Sequence, residues 1–128
     1  MRSEIPAMLR HGGGAIVNVA SVLGLVGAAM APAYVAAKHG IVGMTKSAAQ
    51  AHARQGVRIN VVCPGYVETP MLEGAYAEQI RAYAIPRHPI GRLGLPDEIA
   101  AAALFLCSDD AAFITGGVYP VDGGFLTN

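Results

Sequence analysis

"AIVNVASV" (residues 15–22) and "VRINVVCP" (57–64) are short runs rich in valine and isoleucine. Each is bounded by chain-turning residues: Gly12–Gly14 and Gly24 for the first, Gly56 and Pro64–Gly65 for the second. Both read as strands buried on both faces, since a half-buried strand would alternate apolar with polar residues. The segment between them, from about Pro32 to Arg54, reads as a helix, with proline in its first turn and Gly56 as its stop. Strand, helix, strand with so long a connection is a parallel crossover. A second helix over "LPDEIAAAALFLCSDD" (95–110), with Asp97 and Glu98 favouring its N-terminal dipole, and a last strand within "GGVYPVDGG" (116–124) extend the alternation. The fold expected is α/β, a parallel sheet with helices on its faces.

Composition narrows the function. The chain has 128 residues, 53% of them hydrophobic and 14% charged, with nine basic and nine acidic side chains in balance. Such a chain is neither disordered nor drawn by net charge to nucleic acid or to an anionic membrane surface. Every apolar run is interrupted before it could span a bilayer. Cys63 and Cys107 suggest no disulfide framework and read as two buried free thiols in a reducing, cytoplasmic compartment. His11, His39, His52 and His88 show no metal-ligand spacing, so no metal site is expected. His39 reads as a packing or surface residue. The chain is also unusually apolar for its length, which implies hydrophobic surface that belongs against something beyond these residues.

The polar residues within the apolar stretches gather at one end of the expected sheet. Ser21 closes the first strand, Tyr34 and Lys38 open the following helix one turn apart, and Pro64 to Thr69 close the second strand. Ligands of such sheets sit beyond the carboxyl ends of the strands. The least regular region, 66–92, with a short helix expected over 72–83, follows the second strand and is placed to cover that crevice. A phenol beside an ammonium group can exchange a proton with an alcohol oxygen, and a serine hydroxyl can hold the same oxygen. Alone, Tyr-x-x-x-Lys describes many helix surfaces; its place at the crevice, together with the serine, is what points to chemistry. By position, Val22, Leu23, Tyr66, Met71 and Leu72 would line a pocket suited to an apolar alcohol or ketone.

"NVAS" (18–21) followed after thirteen positions by "YVAAK" (34–38) resembles the active-site signature of the short-chain dehydrogenase/reductase family. "RINVVCPGYVETPM" (58–71), "GRLGLPDEIAAAALFLCSDDAAFITG" (91–116) and "VDGG" (121–124) agree with that family in order and spacing. The resemblance implies a doubly wound, Rossmann-like sheet and reversible hydride transfer between an alcohol or ketone and NAD or NADP. It implies Ser21 orienting the substrate oxygen, Tyr34 as acid/base, and Lys38 favouring the phenolate and bonding the nicotinamide ribose. It further implies Pro64 and Gly65 shaping the loop beside the nicotinamide, the backbone of Val67 on its carboxamide, and Thr69 on the amide or pyrophosphate. A homo-oligomer, dimer or tetramer, is the expected assembly. The family's Gly-x-x-x-Gly-x-Gly turn and its catalytic asparagine have no counterpart here: "HGGGAIV" precedes a strand, and Asn18 lies on the serine's own strand. Residues 1–128 therefore read as the C-terminal part of a single domain lacking its N-terminal strands, with "EIPAMLRHGGG" as the tail of a helix. A catalytically inactive fragment acting as an association module is the alternative reading.

Overall fold

A computed structural model describes residues 1–127. A short helix α1 (Glu4–Arg10) leads into strand β1 (Gly14–Val19), helix α2 (Pro32–His52) and strand β2 (Val57–Pro64). Helices α3 (Ala77–Ala84) and α4 (Pro96–Cys107) and strand β3 (Val118–Val121) complete the order. The three strands form one parallel sheet in the order β1-β2-β3, with Gly14 beside Val57, Val19 beside Val62, and Val61 beside Val118.

β2 occupies the centre, and its alternation sorts the helices. Val57 and Ile59 pack with Ile5 and Ala49, and Val61 and Cys63 with Val42, so the odd-numbered face carries α1 and α2. From the other face, Arg58 donates to the carbonyls of Leu106, Cys107 and Ser108 at the C-terminus of α4, and to that of Ile114. Those are the carbonyls that a helix end leaves without intrahelical partners. Asn60, fully buried, donates to the Ile114 carbonyl and accepts from Gly117 N–H. The central strand is thus covered on both faces, as the alternation of elements implied.

Several expectations are corrected. β1 is not buried on both faces: its inner residues are half-buried and Val19 is 54% exposed, and among the described residues β1 pairs with β2 alone. It also stops at Val19, and Ser21 instead caps a single tight turn over Val22–Gly24. α2 ends at His52, and a tighter turn over Ala53–Gln55 leads into Gly56. The short helix begins at Ala77 and not at 72, since Glu73 is extended and ends the turn over Pro70–Leu72. α4 closes at Cys107, where Ser108 turns extended and its hydroxyl bonds the Phe105 carbonyl. β3 lies within 116–124 as expected, starting after Gly116 and Gly117, which donate to the Ile59 carbonyl and the Asn60 side chain. Of the two thiols, Cys63 is buried and Cys107 exposed.

At its N-terminus, α4 is fixed by charge. Arg92 forks onto the Glu98 carboxylate at 2.7 and 2.8 Å, and Leu95 N–H donates to the same group at 2.8 Å. These donors hold the Glu98 carboxyl down to about 2, against an ordinary 4.5. A carboxyl lowered by folding contributes in full above its ordinary value, and the contribution is lost as pH falls through the folded one. The difference in thermal midpoint between the wild type and Glu98→Gln should therefore be present near neutral pH. It should close as pH falls from 4.5 toward 2. A difference that persists unchanged in strong acid would assign the effect to something other than this ion pair.

Among the described residues no helix is long and apolar enough to cross a membrane, and no cluster of three histidine, cysteine or acidic side chains could hold a metal.

Candidate active site

The carboxyl ends of β1 and β2 open into one cavity of about 640 Å³. Its wall is built from four stretches. Val19 to Leu23 continue β1; Tyr34 and Lys38 come from the first turns of α2; Pro64 to Val67, with Thr69, Met71 and Leu72, follow β2; Pro96, Ile99, Ala100 and Ala103 come from α4. Every candidate residue singled out in the sequence lies on this wall. The α4 residues were not anticipated. Their spacing places them on one helical face, but α4 is apolar almost all round, so the pattern alone did not mark that face.

Local packing explains why the polar groups converge. Ser21 Oγ accepts from Leu23 N–H at 3.2 Å, which fixes the serine at the turn while leaving its own O–H without an acceptor among the described residues. The turn lies directly against α2: a methyl group on Gly24 would stand 2.8 Å from the Lys38 carbonyl oxygen, so only glycine allows this approach. Lys38 Nζ reaches back to the Val19 carbonyl at 3.4 Å and lies 5.4 Å from the centroid of the Tyr34 ring. Tyr34 is half-exposed to the cavity side, and its phenol hydroxyl has no hydrogen-bond partner among the described residues. Asn18 is occupied elsewhere, donating to Thr45 Oγ1 at 2.8 Å.

The stretch after β2 is held from behind. Gly94 N–H donates to the Tyr66 carbonyl, and Glu68 N–H donates to the Gly94 carbonyl, both at 2.9 Å. In a parallel bridge of this kind the residue between, Val67, turns its own N–H and C=O the opposite way. Among the described residues neither group has a partner. Arg81 forks onto Glu68 and holds that carboxyl below its ordinary range. Burial and the neighbouring Tyr83 push the Tyr66 phenol up, so it stays a neutral donor. Burial likewise raises the Cys63 thiol, outweighing the Ser21 backbone and Lys38, so it remains protonated beneath the cavity. Lys38 is the one charged side chain on the described wall.

The arrangement combines a phenol, an ammonium group, a hydroxyl and a peptide group without partners among the described residues on the wall of one largely apolar chamber. Proton exchange with a neutral alcohol is within its chemistry. The vacant N–H and C=O of Val67 are suited to a primary carboxamide, which offers one acceptor and two donors.

Comparison with known proteins gives a consistent picture. A family model described as enoyl-(acyl carrier protein) reductase matches residues 1–126. The chain is 53% identical over 127 residues to the cyclohexanol dehydrogenase of Acinetobacter sp. (strain SE19), covering 99% of this chain and 49% of that protein. It is 50% identical over 121 residues to the cis-4-hydroxycyclohexanecarboxylate dehydrogenase of Sinomonas cyclohexanicum, covering 91% and 48%. The solved structure of ElxO with NADP bound matches with a TM-score of 0.91 at 35% identity, over all of this chain and 52% of that one. The chain spans about half the length of the curated relatives it matches.

Proposed function

The chain belongs to the short-chain dehydrogenase/reductase family, and on that footing we propose that it forms the catalytic side of an oxidoreductase interconverting a neutral cyclic alcohol and its ketone with NAD or NADP. The observation that carries this reading is the single cavity shared by Ser21, Tyr34, Lys38 and the stretch after β2. The unpartnered peptide groups of Val67 supply the fit for the carboxamide of a nicotinamide, with Pro64, Gly65 and Thr69 on the same wall. Bound there, the dinucleotide would supply the hydride acceptor or donor.

The chain's own residues do the rest. Tyr34 takes the hydroxyl proton as an alcohol is oxidised and returns it to the developing alkoxide in the reverse direction. Lys38, with Nζ 5.4 Å from the centroid of the phenol ring, is placed to bond the ribose. Ser21 donates its free O–H to the same substrate oxygen and fixes its approach. Val22, Leu23, Tyr66, Met71 and Leu72, joined by Ile99, Ala100 and Ala103, supply apolar surface for the carbon skeleton. A chamber lined almost entirely by apolar side chains favours a compact carbon ring. The cyclohexanol dehydrogenase relative supports the same class, and the second relative is named for a cyclic alcohol that also carries a carboxylate.

Calorimetric titration of the folded chain with NADPH and with NADH tests the reading, followed by oxidation of cyclohexanol with NAD⁺ or NADP⁺ as hydride acceptor, monitored through nicotinamide absorbance. Saturable binding of either dinucleotide, and turnover that saturates with cyclohexanol, is the expected result. A folded chain that binds neither dinucleotide would overturn the assignment for this chain.

A further inference from the structure

The wall formed by residues 64–69 and the helical excursion after it converge on one side chain that the chemistry above does not use. His88 follows the turn Ile85–Arg87 and is 2% exposed. Its Nδ1 lies 2.8 Å from the Ala84 carbonyl at the end of α3. A carbonyl can only accept, so Nδ1 carries the proton and Nε2 keeps its lone pair. That lone pair accepts Tyr66 N–H at 3.2 Å. The ring also stands edge-on to the Tyr66 ring, with centroids 5.9 Å apart, and 5.3 Å from the Phe125 ring.

The fit around this imidazole is close enough to dictate a neighbour. A methyl group on Gly65 would lie 2.6 Å from His88 Nε2 and 3.1 Å from the Cα of Asp122, so the strand end reaches the ring only as glycine. His88 therefore fills the gap between the end of β2, the end of α3 and the C-terminal turn. It is bonded to the residue directly before Val67, whose peptide groups have no partner among the described residues.

We propose that His88 is a positioning residue of the candidate site. Its Nε2 holds the Gly65–Val67 backbone in the orientation that presents the Val67 peptide groups to a carboxamide and the Tyr66 ring to the substrate. This inference rests on the dinucleotide reading for its ligand. Its structural half, the hold on Tyr66 N–H, can be read without any ligand.

The test compares two substitutions in the full chain. His88→Gln keeps an acceptor at similar reach, whereas His88→Leu keeps volume and removes the acceptor. Amide hydrogen exchange followed by NMR reads Tyr66 directly, with Val61 and Val62 of the central strand as internal standards. In His88→Leu the Tyr66 amide should exchange about fivefold faster or more, while Val61 and Val62 stay unchanged; His88→Gln should stay near wild type. NADPH affinity should fall with the same pattern, about tenfold in His88→Leu and little in His88→Gln.

Tyr66 exchange that is unchanged in His88→Leu overturns the proposal. Exchange that quickens equally in the central strand overturns it as well, since the side chain is then only part of the core. A loosened Tyr66 with undiminished NADPH affinity removes the positioning role. A wild-type chain that binds no dinucleotide overturns the functional reading and the ligand part of this inference together. The Tyr66 comparison then decides alone whether His88 holds the strand end.

Discussion

Tyr34→Phe should lower kcat for cyclohexanol oxidation by about 10²- to 10⁴-fold, the usual worth of a positioned acid/base. The dinucleotide Kd should change by no more than about fivefold, since one hydrogen bond is worth about 1 kcal/mol or less at a half-exposed site. The substitution is clean because the ring remains, and with it the contact to Lys38 at 5.4 Å. Only the hydroxyl is removed, and that hydroxyl bonds nothing else among the described residues. Single-turnover kinetics with titrated dinucleotide separates the two quantities. A variant retaining more than about a tenth of wild-type kcat would remove Tyr34 from the acid/base role. Parallel losses in kcat and in dinucleotide affinity would instead make the phenol a binding group.

The second large effect concerns the centre of the sheet. Ile59→Ala should destabilise the chain by about 3 kcal/mol, within a range of roughly 2 to 5, because it removes transfer energy and leaves a cavity. Ile59 is fully buried between the odd-numbered face of β2 and the residues of α1 and α2, including Ile5 and Ala49. In a chain of this size that is a fall in thermal midpoint of about 10 °C. Val19→Ala on the edge strand should cost less than about 1 kcal/mol, since its side chain already contacts solvent. Equal losses at the two positions would mean that the edge of β1 is covered in solution.

That contrast also shows where sequence reading succeeds. Valine-rich runs bounded by glycine and proline marked both strands, and their separation by a long helix forced a parallel pairing. The same runs could not reveal that β1 lies at the edge, because an apolar strand looks alike with one neighbour or two. Hydrophobicity failed at α4 for a related reason. Leu104, Phe105 and Cys107 are exposed while Leu106 is buried, and nothing in so uniform a stretch distinguishes its faces. The cavity was legible because Ser21, Tyr34, Lys38 and Pro64–Thr69 all sit at strand ends or helix starts, where topology alone brings them together. His88 was not, since a lone histidine carries no pattern until its two nitrogen partners are seen.

The sheet's connectivity has a consequence for how the chain reaches this state. Val57 cannot lie beside Gly14 until all of α2 has been threaded between them, and Val118 waits in turn for Val61. Among the described residues no strand has a neighbour close in sequence, so every rung of this ladder closes a long loop before it is rewarded. Folding should accordingly be slow, with α2 forming early and drawing β1 and β2 together. Until then "VRINVVCP" is an unpaired, β-prone segment with a single charge. At high concentration that segment is where refolding chains would first associate with one another.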